Sequence, residues 1–391
     1  MSGERYLSDR VIDLKPSGIR RFFDLAAGMK GVISLGVGEP DFVTSWAIRE
    51  ASILSLEQGY TAYTANAGLL ELRVEIAKYM ERQFKVSYKP EEEVLVTVGG
   101  SEALDLAMRA LVNPGDEVIV VQPSFVAYPS LVSLAGGIPV SVNTTSTDEF
   151  KLQPEQIEAA ITPKTKAIII CSPNNPTGTL LVESELEKIA EIVIKHDLIV
   201  ISDEIYAELS YDGPYTSFAA IKGMKERTIV INGFSKGFAM TGWRLGFVVG
   251  PKVFIQAMLK IHQHAMMCAS TMAQYGAIEA LRNGMNDVAA MKKSYNQRRN
   301  YFVKSLNEIG LDCHMPGGAF YAFPSVEKTG LTSEEFAERL LNEEKVAVVP
   351  GSVFGDSGEG HVRCSYASSI EQLQEAVKRM RRFVERLQVT V

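Results

Sequence analysis

The stretch Lys166–Gly178 reads KAIIICSPNNPTG and contains a strong strand signal followed by a polar turn. Its first part, Lys166–Cys171, has an unbroken apolar run, which is typical of a strand that is buried on both faces of a parallel sheet. The second part, Ser172–Gly178, is rich in Asn, Pro and Gly, the residues that favour turns. The stretch therefore predicts a buried parallel strand that ends in a polar loop.

Short strands and intervening helices continue on both sides of this stretch. We predict further strands at Val94–Val98, Glu117–Val121, Leu198–Ser202, Thr228–Ile231 and Leu245–Val249. The segment Glu102–Leu111 predicts a helix, and apolar residues at helical spacing from Leu186 to Val193 indicate another. Strands that alternate with helices predict an α/β fold with a mostly parallel central sheet flanked by helices.

The character of the sequence changes after about Gly284. The later elements are a charged helix at Met291–Ile309, short strands at Val346–Val349 and Val362–Ser365, and an amphipathic helix at Ile370–Val384. The N-terminal segment has no clear strand–helix unit, so we expect it to pack against these elements. We therefore predict a large domain of residues 44–284 and a smaller α+β domain formed by both termini, residues 1–43 and 285–391.

Composition and charge exclude several classes of function. Of 391 residues, 46% are hydrophobic and 22% are charged, which is an ordinary balance for a globular protein. The net charge of −7, with no basic run to offset it, is unfavourable for binding nucleic acid or an anionic membrane surface. No apolar run approaches the length of a membrane span. We therefore expect no nucleic-acid partner and no membrane association.

The cysteines and the N-terminal sequence indicate in which cellular compartment the protein is expected. The chain has four scattered cysteines, none in a C-x-x-C pair, so we expect neither a disulfide framework nor a metal site. Met1–Arg10 is polar and charged, and it lacks the apolar segment of a secretory signal. These features predict a cytoplasmic protein.

Several polar clusters come directly after predicted strands, and ligands bind at the carboxyl ends of strands in open α/β sheets. Gly99–Glu102 opens a helix, where glycines allow close backbone approach and unpaired N–H groups attract anions. A phosphate or carboxylate site and a plain turn with an N-cap are both open here. Asp203–Tyr206 comes after another strand, and an acid there either caps the next helix or faces a positive group. The amides Asn174 and Asn175 either form a turn or point into a cleft.

The segment Gly233–Gly237, GFSKG, allows two chemical interpretations besides a simple glycine turn. It matches the G-x-S-x-G elbow of serine hydrolases, with Ser235 as the nucleophile. Alternatively, Lys236 is an amine that condenses with an aldehyde. The hydrolase needs a downstream histidine in a suitable context, and neither His262 nor the other histidines after Ser235 has one. The lysine is therefore the favoured interpretation.

Two arginines support the lysine. Arg244 comes eight residues after Lys236, beside Trp243, where it is able to pair with a phosphate. Arg363 lies in an otherwise apolar predicted strand, and a buried arginine needs an anionic partner. That partner is either a substrate carboxylate or an internal acid.

Together these clusters resemble the fold-type I, class I/II aminotransferases that depend on pyridoxal 5′-phosphate (PLP). Ser235–Gly246 is similar to the lysine signature of that family. Other stretches that match typical family segments are Leu35–Asp41, Tyr63–Gly68 and Pro316–Tyr321. The resemblance runs from about Ser17 to the C-terminus, and it is closest to bacterial enzymes described as alanine, aspartate or aromatic aminotransferases.

The resemblance implies roles for residues around the cofactor ring. Lys236 forms the Schiff base with PLP and later moves the substrate's proton. Asp203 sits against the pyridine nitrogen and keeps it protonated, which makes the ring an electron sink. Asn175 and Tyr206 hydrogen-bond the 3-oxygen of the ring, and Phe125 stacks on it. The expected catalytic residues are therefore Lys236, Asp203 and Tyr206.

The resemblance also implies phosphate and substrate contacts. The residues expected to hold the phosphate are Gly100, Ser101, Ser235 and Arg244. Arg363 clamps the α-carboxylate of the substrate with a bidentate fork, helped by Asn175 and the backbone at Gly38. Tyr63 reaches the phosphate of the neighbouring subunit, so the expected assembly is a homodimer.

The expected activity is transfer of an amino group between an L-amino acid and a 2-oxo acid, with 2-oxoglutarate as the expected acceptor. Relatives that prefer dicarboxylates often place a second arginine, from the neighbouring subunit, near the side-chain pocket, and Ile261–Cys268, the equivalent stretch, has no Arg or Lys. A small or neutral donor such as alanine is therefore favoured. Arg20 or Arg21 is the candidate partner for the distal carboxylate of the acceptor. Alternatives are an aspartate or aromatic aminotransferase, a PLP-dependent C–S β-lyase, a PLP-binding sensor and, distantly, a serine hydrolase that uses Ser235.

Overall fold

A computed structural model of the chain describes residues 3–12, 14, 18 and 28–389. The strands are β1 Ile33–Ser34, β2 Val94–Thr97, β3 Glu117–Gln122, β4 Ile138–Asn143, β5 Thr165–Cys171, β6 Ile199–Asp203, β7 Thr228–Gly233, β8 Gly246–Val249, β9 Tyr321–Ala322, β10 Val346–Ala347, β11 Val349–Pro350 and β12 Val362–Ser365. The α-helices are α1 Asp9–Ile12, α2 Trp46–Glu57, α3 Leu70–Phe84, α4 Gly99–Leu111, α5 Ala127–Ala135, α6 Pro154–Ala160, α7 Glu183–Lys195, α8 Lys252–Ala265, α9 Thr271–Asn283, α10 Met285–Glu308, α11 Ser333–Glu344 and α12 Ile370–Val389. Short 3₁₀ helices lie at Gly3–Tyr6, Ser146–Asp148, Ala207–Leu209, Phe218–Ala220, Lys225–Arg227, Thr241–Trp243, Glu327–Thr329, Gly351–Phe354 and Asp356–Gly358.

The central sheet has seven strands in the order β2-β8-β7-β6-β5-β3-β4. Neighbouring strands from β4 to β7 pair in parallel, which confirms the predicted α/β fold. The strand predicted at Leu245–Val249 is present as β8, but it runs antiparallel to both β2 and β7. Strand β4 was not predicted, because it lies at the edge of the sheet and its residues are mostly half-exposed or exposed.

Helices cover both faces of the sheet, as the apolar run of β5 requires. Ala167 and Ile169 pack in one core cluster with apolar residues of α4 and α8. Ile168 and Ile170 point the other way and pack in a second cluster with α6 and α7. Alternate residues of one strand are therefore buried on opposite faces, and burial of an aliphatic side chain stabilises the fold by roughly 1.5–3 kcal/mol.

The remaining elements form a smaller unit around their own core. Strands β11, β12 and β9 make an antiparallel sheet, and β1 pairs in parallel with β10. The N-terminal strand β1 thus joins C-terminal elements, and α10, α11 and α12 pack around the same apolar cluster. The single strand predicted at Val346–Val349 is two short strands, β10 and β11. The proposed domain limits, residues 44–284 against 1–43 with 285–391, remain a prediction.

The register of the parallel strands brings polar residues together. Cys171 of β5 pairs with Asp203 of β6, and Asp203 pairs with Ile231 of β7. Each strand ends close to this level, so the loops after these strands share one edge of the sheet. In residues 3–12 and 28–389, no helix has the length and apolar character needed to cross a bilayer.

Candidate active site

A cavity of about 550 Å³ lies at this edge of the sheet, between the large sheet and the smaller unit. It is lined by residues from both parts of the chain. The candidates predicted from the sequence that line it are Gly38, Gly100, Ser101, Phe125, Asn175, Asp203, Tyr206, Ser235, Lys236, Arg244 and Arg363. Tyr63 is the one predicted site residue that does not line the cavity within the described chain.

Lys236 lies shortly after β7 and reaches into the cavity. Its Nζ donates a 2.6 Å hydrogen bond to the carbonyl oxygen of Gly38, in the segment after β1. Burial lowers the pKa of Lys236 to about 8, although the negative charge of Glu39 acts in the opposite direction. The unprotonated fraction of this amine near neutral pH is therefore much larger than that of an exposed lysine, as a nucleophilic lysine requires.

Asp203 is the last residue of β6 and is buried beneath the cavity. Its Oδ2 accepts a 2.7 Å hydrogen bond from the hydroxyl of Tyr128, and its Oδ1 accepts from the backbone N–H of Ile205 at 3.2 Å. Burial raises the pKa of Asp203, which the two hydrogen bonds oppose. None of the ion pairs found among the described residues includes Asp203. The carboxylate thus forms a local turn and also faces the cavity without a cationic partner.

Arg363 lies in β12 and is held by neutral oxygen atoms. Its Nη1 donates to Oδ1 of Asn175 at 2.8 Å, and its Nη2 donates to the carbonyl oxygen of Gly36 at 2.7 Å. Its Nε is buried and has no hydrogen-bond partner among the described residues. The guanidinium lies 4.5 Å from the centre of the Tyr321 ring. No acid pairs with Arg363 in the described part of the chain, so an internal salt bridge does not explain its burial.

Two tyrosines lie beside this arginine. The hydroxyl oxygens of Tyr206 and Tyr321 are 2.9 Å apart and share a hydrogen bond, and their rings meet edge to face. Burial raises the pKa of Tyr206 well above its ordinary value. The Tyr206 hydroxyl is therefore neutral and able to donate a hydrogen bond into the cavity.

An anion cradle lies where α4 begins. Gly99 has a φ of 77°, and a Cβ there would lie 2.9 Å from Nη2 of Arg244. A Cβ at Gly246 would lie 2.7 Å from the carbonyl carbon of Gly99, so glycine is required at both positions. The backbone N–H groups at Gly100 and Ser101 lie in the first turn of the helix. Together with the guanidinium they form a site suited to a phosphate.

Tyr63 instead lies on the outer surface, where its side chain is 78% exposed. Hydrogen bonds hold its loop against α9 and the segment that joins α8 to α9. Nδ2 of Asn66 donates to the carbonyl oxygen of Met267 at 2.7 Å, and Nε2 of Gln274 donates to Oγ1 of Thr64 at 3.2 Å. Arg20 and Arg21, the candidate partners for the distal carboxylate of the acceptor, lie outside the described residues.

The geometry bears on the alternative chemistry at Ser235. No histidine is among the described residues that line the cavity with Ser235. His262 is fully buried elsewhere and pairs with Glu102. The serine hydrolase interpretation therefore lacks its general base. In the described residues, no three His, Cys, Asp or Glu side chains form a group able to hold a metal ion.

Sequence reasoning missed several residues that line the cavity. Tyr128 was not assigned, although it lies one helical turn after Phe125 on the segment after β3. Tyr321 was noted only as part of a family segment, without a role. Glu39 and Thr241 also line the cavity, and Oγ1 of Thr241 donates to Oε2 of Glu39 at 3.2 Å. The signal that points to Tyr128 is its position as an aromatic residue just after the end of a strand.

Comparisons with known proteins agree with this geometry. The family described as "Aminotransferase class I and II" matches residues 30–380. The chain is 68% identical to the protein YugH of Bacillus subtilis (strain 168), over 97% of this chain and 99% of that one. It is 48% identical to an aspartate aminotransferase of Pyrococcus abyssi, over 98% of this chain and 100% of that one. The crystal structure of an aromatic aminotransferase from Pyrococcus horikoshii, 46% identical, superposes with a TM-score of 0.90 and covers 94% of this chain and 99% of that one. The chain therefore belongs to the class I and II aminotransferases, and it is a PLP-dependent enzyme of fold type I.

Proposed function

We propose that this enzyme moves an amino group from a neutral L-amino acid, with alanine favoured, to a 2-oxo acid, with 2-oxoglutarate as the expected acceptor. The observation that carries the proposal is the set of cations in the cavity. Among the described residues that line it, these are Lys236, Arg244 and Arg363. The amine, the phosphate cradle and the α-carboxylate site each use one of them, so the described lining of one subunit offers no further cation for a distal carboxylate of the donor. For the distal carboxylate of 2-oxoglutarate the candidate partners remain Arg20 and Arg21.

The residues fit the cofactor. The buried carboxylate of Asp203 has no cationic partner among the described ion pairs, so it suits a protonated pyridine nitrogen. The cradle formed by the start of α4 and Arg244 suits a phosphate. When bound, PLP supplies the electron sink that allows the Cα–H bond of the amino acid to break. Ser235 and Ser101 are hydroxyl donors that line the same cavity as Arg244.

Lys236 is the group that we propose to attach the cofactor and to move the proton. Its Nζ is held by the Gly38 carbonyl in the resting cavity, and its lowered pKa makes it a usable base near neutral pH. Once it is no longer attached to the cofactor, the same Nζ would accept the proton that leaves the substrate's Cα. The Gly38 carbonyl, which accepts a hydrogen bond from Nζ, would keep this base inside the cavity.

Arg363 and Asn175 are proposed to receive the α-carboxylate. Oδ1 of Asn175 accepts a hydrogen bond from one end of the Arg363 guanidinium. The buried Nε of Arg363 has no hydrogen-bond partner among the described residues. A carboxylate accepts two parallel hydrogen bonds from such a fork. Tyr206, whose hydroxyl is paired with that of Tyr321, would donate to the 3-oxygen of the cofactor, and Phe125, which lines the same cavity, would pack on its ring.

We also propose a homodimer. Large apolar side chains are exposed beside the Tyr63 loop, including Met266 at 50% and Met267 at 47%. The Tyr63 loop and the segment at Met267 are joined by the Asn66 hydrogen bond, so they form one surface. Burial of such a surface by a second copy favours association. Tyr63 would then reach the partner's cradle.

The donor preference is the finer part of the proposal. The relatives above carry the names aspartate and aromatic aminotransferase. An aspartate donor needs a cation for its side-chain carboxylate, and Ile261–Cys268 has no Arg or Lys. A cavity of about 550 Å³ has room for an aromatic side chain, which keeps an aromatic donor as the second candidate.

Two experiments test the proposal. Borohydride should abolish the visible absorbance of purified enzyme and fix a mass adduct on Lys236, and an adduct on another lysine would refute the assignment. A screen of alanine, aspartate, phenylalanine and tyrosine against 2-oxoglutarate should then rank alanine first by kcat/KM. Preference for aspartate would refute the neutral-donor proposal, and pyruvate release from a cysteine conjugate would support the C–S β-lyase instead.

A further inference from the structure

A buried acid–imidazole pair lies behind the phosphate cradle. Glu102 is on the first turns of α4, and its Oε2 accepts a 2.5 Å hydrogen bond from the backbone N–H of Val98, the residue before the helix. Its Oε1 lies 2.6 Å from Nδ1 of His262 on α8. The side chains of Glu102 and His262 are 7% and 0% exposed. Neither residue lines the cavity, so neither touches substrate or cofactor.

An ionised Glu102 only accepts hydrogen bonds, so in that state Nδ1 of His262 carries the hydrogen that Glu102 receives. Nε2 of His262 is buried and has no hydrogen-bond partner among the described residues. The His262 ring therefore makes one side-chain hydrogen bond among the described residues, to Glu102 near the start of α4. A carboxylate at this depth is costly without donors, and Val98 N–H and His262 Nδ1 are the two that the structure provides.

This pair holds the backbone immediately before the phosphate cradle. Gly99, the residue after Val98, has the positive φ that turns the backbone toward Arg244, and Gly100 and Ser101 then present their N–H groups. The hydrogen bond from Val98 to Glu102 fixes the peptide just before that turn. Helix α8, which carries His262, packs across α4 and so anchors Glu102 from outside the cradle.

We propose that His262 is a positioning residue for the cofactor: through Glu102 it fixes the backbone N–H groups at the start of α4 that receive the phosphate. The inference rests on the proposed phosphate site. It predicts an effect on the phosphate end of the cofactor alone, since Lys236 and Asp203 act on the ring end of the cofactor and are not held by this pair.

The test compares PLP with pyridoxal, which lacks the phosphate. His262→Leu keeps the volume and removes the donor, whereas His262→Asn places an amide nitrogen near the position of Nδ1. The cofactor-free full chain is titrated with each aldehyde by absorbance. We expect His262→Leu to lower the affinity for PLP about tenfold or more, which corresponds to about 1.4 kcal/mol of binding free energy. Its affinity for pyridoxal should be unchanged. His262→Asn should restore most of the PLP affinity.

The matched control is His196→Leu, the same change at a second imidazole–carboxylate contact, 3.1 Å from Oε1 of Glu158 and outside the cavity lining, and this variant should bind both aldehydes as wild type does. At saturating PLP, His262→Leu should keep wild-type turnover. An equal loss for PLP and pyridoxal, no loss for either, or failure of His262→Asn to rescue would overturn the inference.

If His262→Leu does not fold, Glu102→Gln is the second variant. The neutral amide oxygen of the new side chain accepts hydrogen bonds from Val98 and His262 less strongly than a carboxylate does. Glu102→Gln should therefore lose affinity for PLP but not for pyridoxal. An unchanged ratio of the two affinities would overturn the inference. Wild-type enzyme that binds pyridoxal as tightly as PLP would instead refute the proposed phosphate site, and the inference with it.

Discussion

The hydroxyl of Tyr128 donates a 2.7 Å hydrogen bond to Oδ2 of Asp203, and both side chains are buried. The carboxylate is thus oriented by a neutral donor and by the backbone N–H of Ile205, while no described cation pairs with it. Its negative charge remains available to a cationic group above it in the cavity. Burial alone raises the pKa of Asp203, and a protonated ring nitrogen would stabilise the ionised form.

Changing Asp203 to Asn should separate charge from geometry. The amide keeps the size of the carboxylate but does not hold a proton on the ring nitrogen, so turnover should fall by several orders of magnitude while PLP still binds. Tyr128→Phe removes one hydrogen bond to an ionised carboxylate, worth roughly 1.5–3 kcal/mol, and should lower kcat by about ten- to a hundredfold, less than Asp203→Asn does. Steady-state kinetics at saturating PLP measure both. Near-normal turnover of Asp203→Asn would mean that the carboxylate only forms the local turn.

The pKa of Lys236 predicts how cofactor capture depends on pH. Burial lowers this pKa from 10.5 to about 8, and only the unprotonated amine attacks an aldehyde. Below pH 8 the free-amine fraction falls about tenfold for each pH unit. The rate at which cofactor-free enzyme captures pyridoxal should therefore rise with pH and reach half its maximum near pH 8, as measured by stopped-flow absorbance.

Glu39 provides the control for this pH profile. Its negative charge raises the pKa of Lys236, against the larger effect of burial. Glu39→Gln should therefore move the midpoint of the capture rate to lower pH. A midpoint near that of an exposed lysine, or a shift to higher pH in Glu39→Gln, would contradict the electrostatic account of the cavity.

The proposed role of Tyr63 in the phosphate site of the neighbouring subunit is testable with mixed dimers. Tyr63→Phe should weaken PLP binding about tenfold by removing one hydrogen bond to a phosphate, and light scattering should still report a dimer. If Tyr63 acts across the interface, mixed dimers of Tyr63→Phe and Lys236→Ala contain one complete site. Mixing the two variants after mild dissociation should then recover activity at limiting PLP. No recovery in proven mixed dimers, or a fully active monomer, would refute the shared site.

The sequence was most informative where one local cause determines the structure. The unbroken apolar run at Lys166–Cys171 predicted β5 because that strand is buried on both faces. The edge strand Ile138–Asn143 carries no such run and was missed. The antiparallel direction of β8 depends on its pairing with β2 and β7, which no local pattern contains.

The same distinction applies to the site. Lys236 and Asp203 stand in motifs that resemble a known family, so they were predicted by residue number and the structure places both at the cavity. The contact between Tyr128 and Asp203 joins residues 75 positions apart, and it depends on the order of strands in the sheet. The contact between Glu102 and His262, 160 positions apart, was not predicted either, because it depends on the packing of α8 against α4.

Arg363 provides the test of the substrate clamp. Its fork is held by Asn175 and the Gly36 carbonyl, two neutral acceptors, and its buried Nε lacks a partner among the described residues. Arg363→Lys keeps the charge but loses the planar fork. One charge-assisted hydrogen bond is worth roughly 1.5–3 kcal/mol, so kcat/KM should fall at least about tenfold for every α-amino acid.

Two comparisons separate this role from a structural one. An amine without a carboxylate should react equally with Arg363→Lys and with wild type, and the PLP affinity of the variant should be unchanged. Arg299→Lys is the matched control, because Arg299 is equally buried but donates two hydrogen bonds to Asp212 away from the cavity, at 2.6 and 2.9 Å. That variant should lower the unfolding temperature and leave kcat/KM unaltered. If Arg363→Lys behaves like the control, with lower stability and wild-type kinetics in the folded fraction, then Arg363 only supports the fold, and the α-carboxylate binds elsewhere in the cavity.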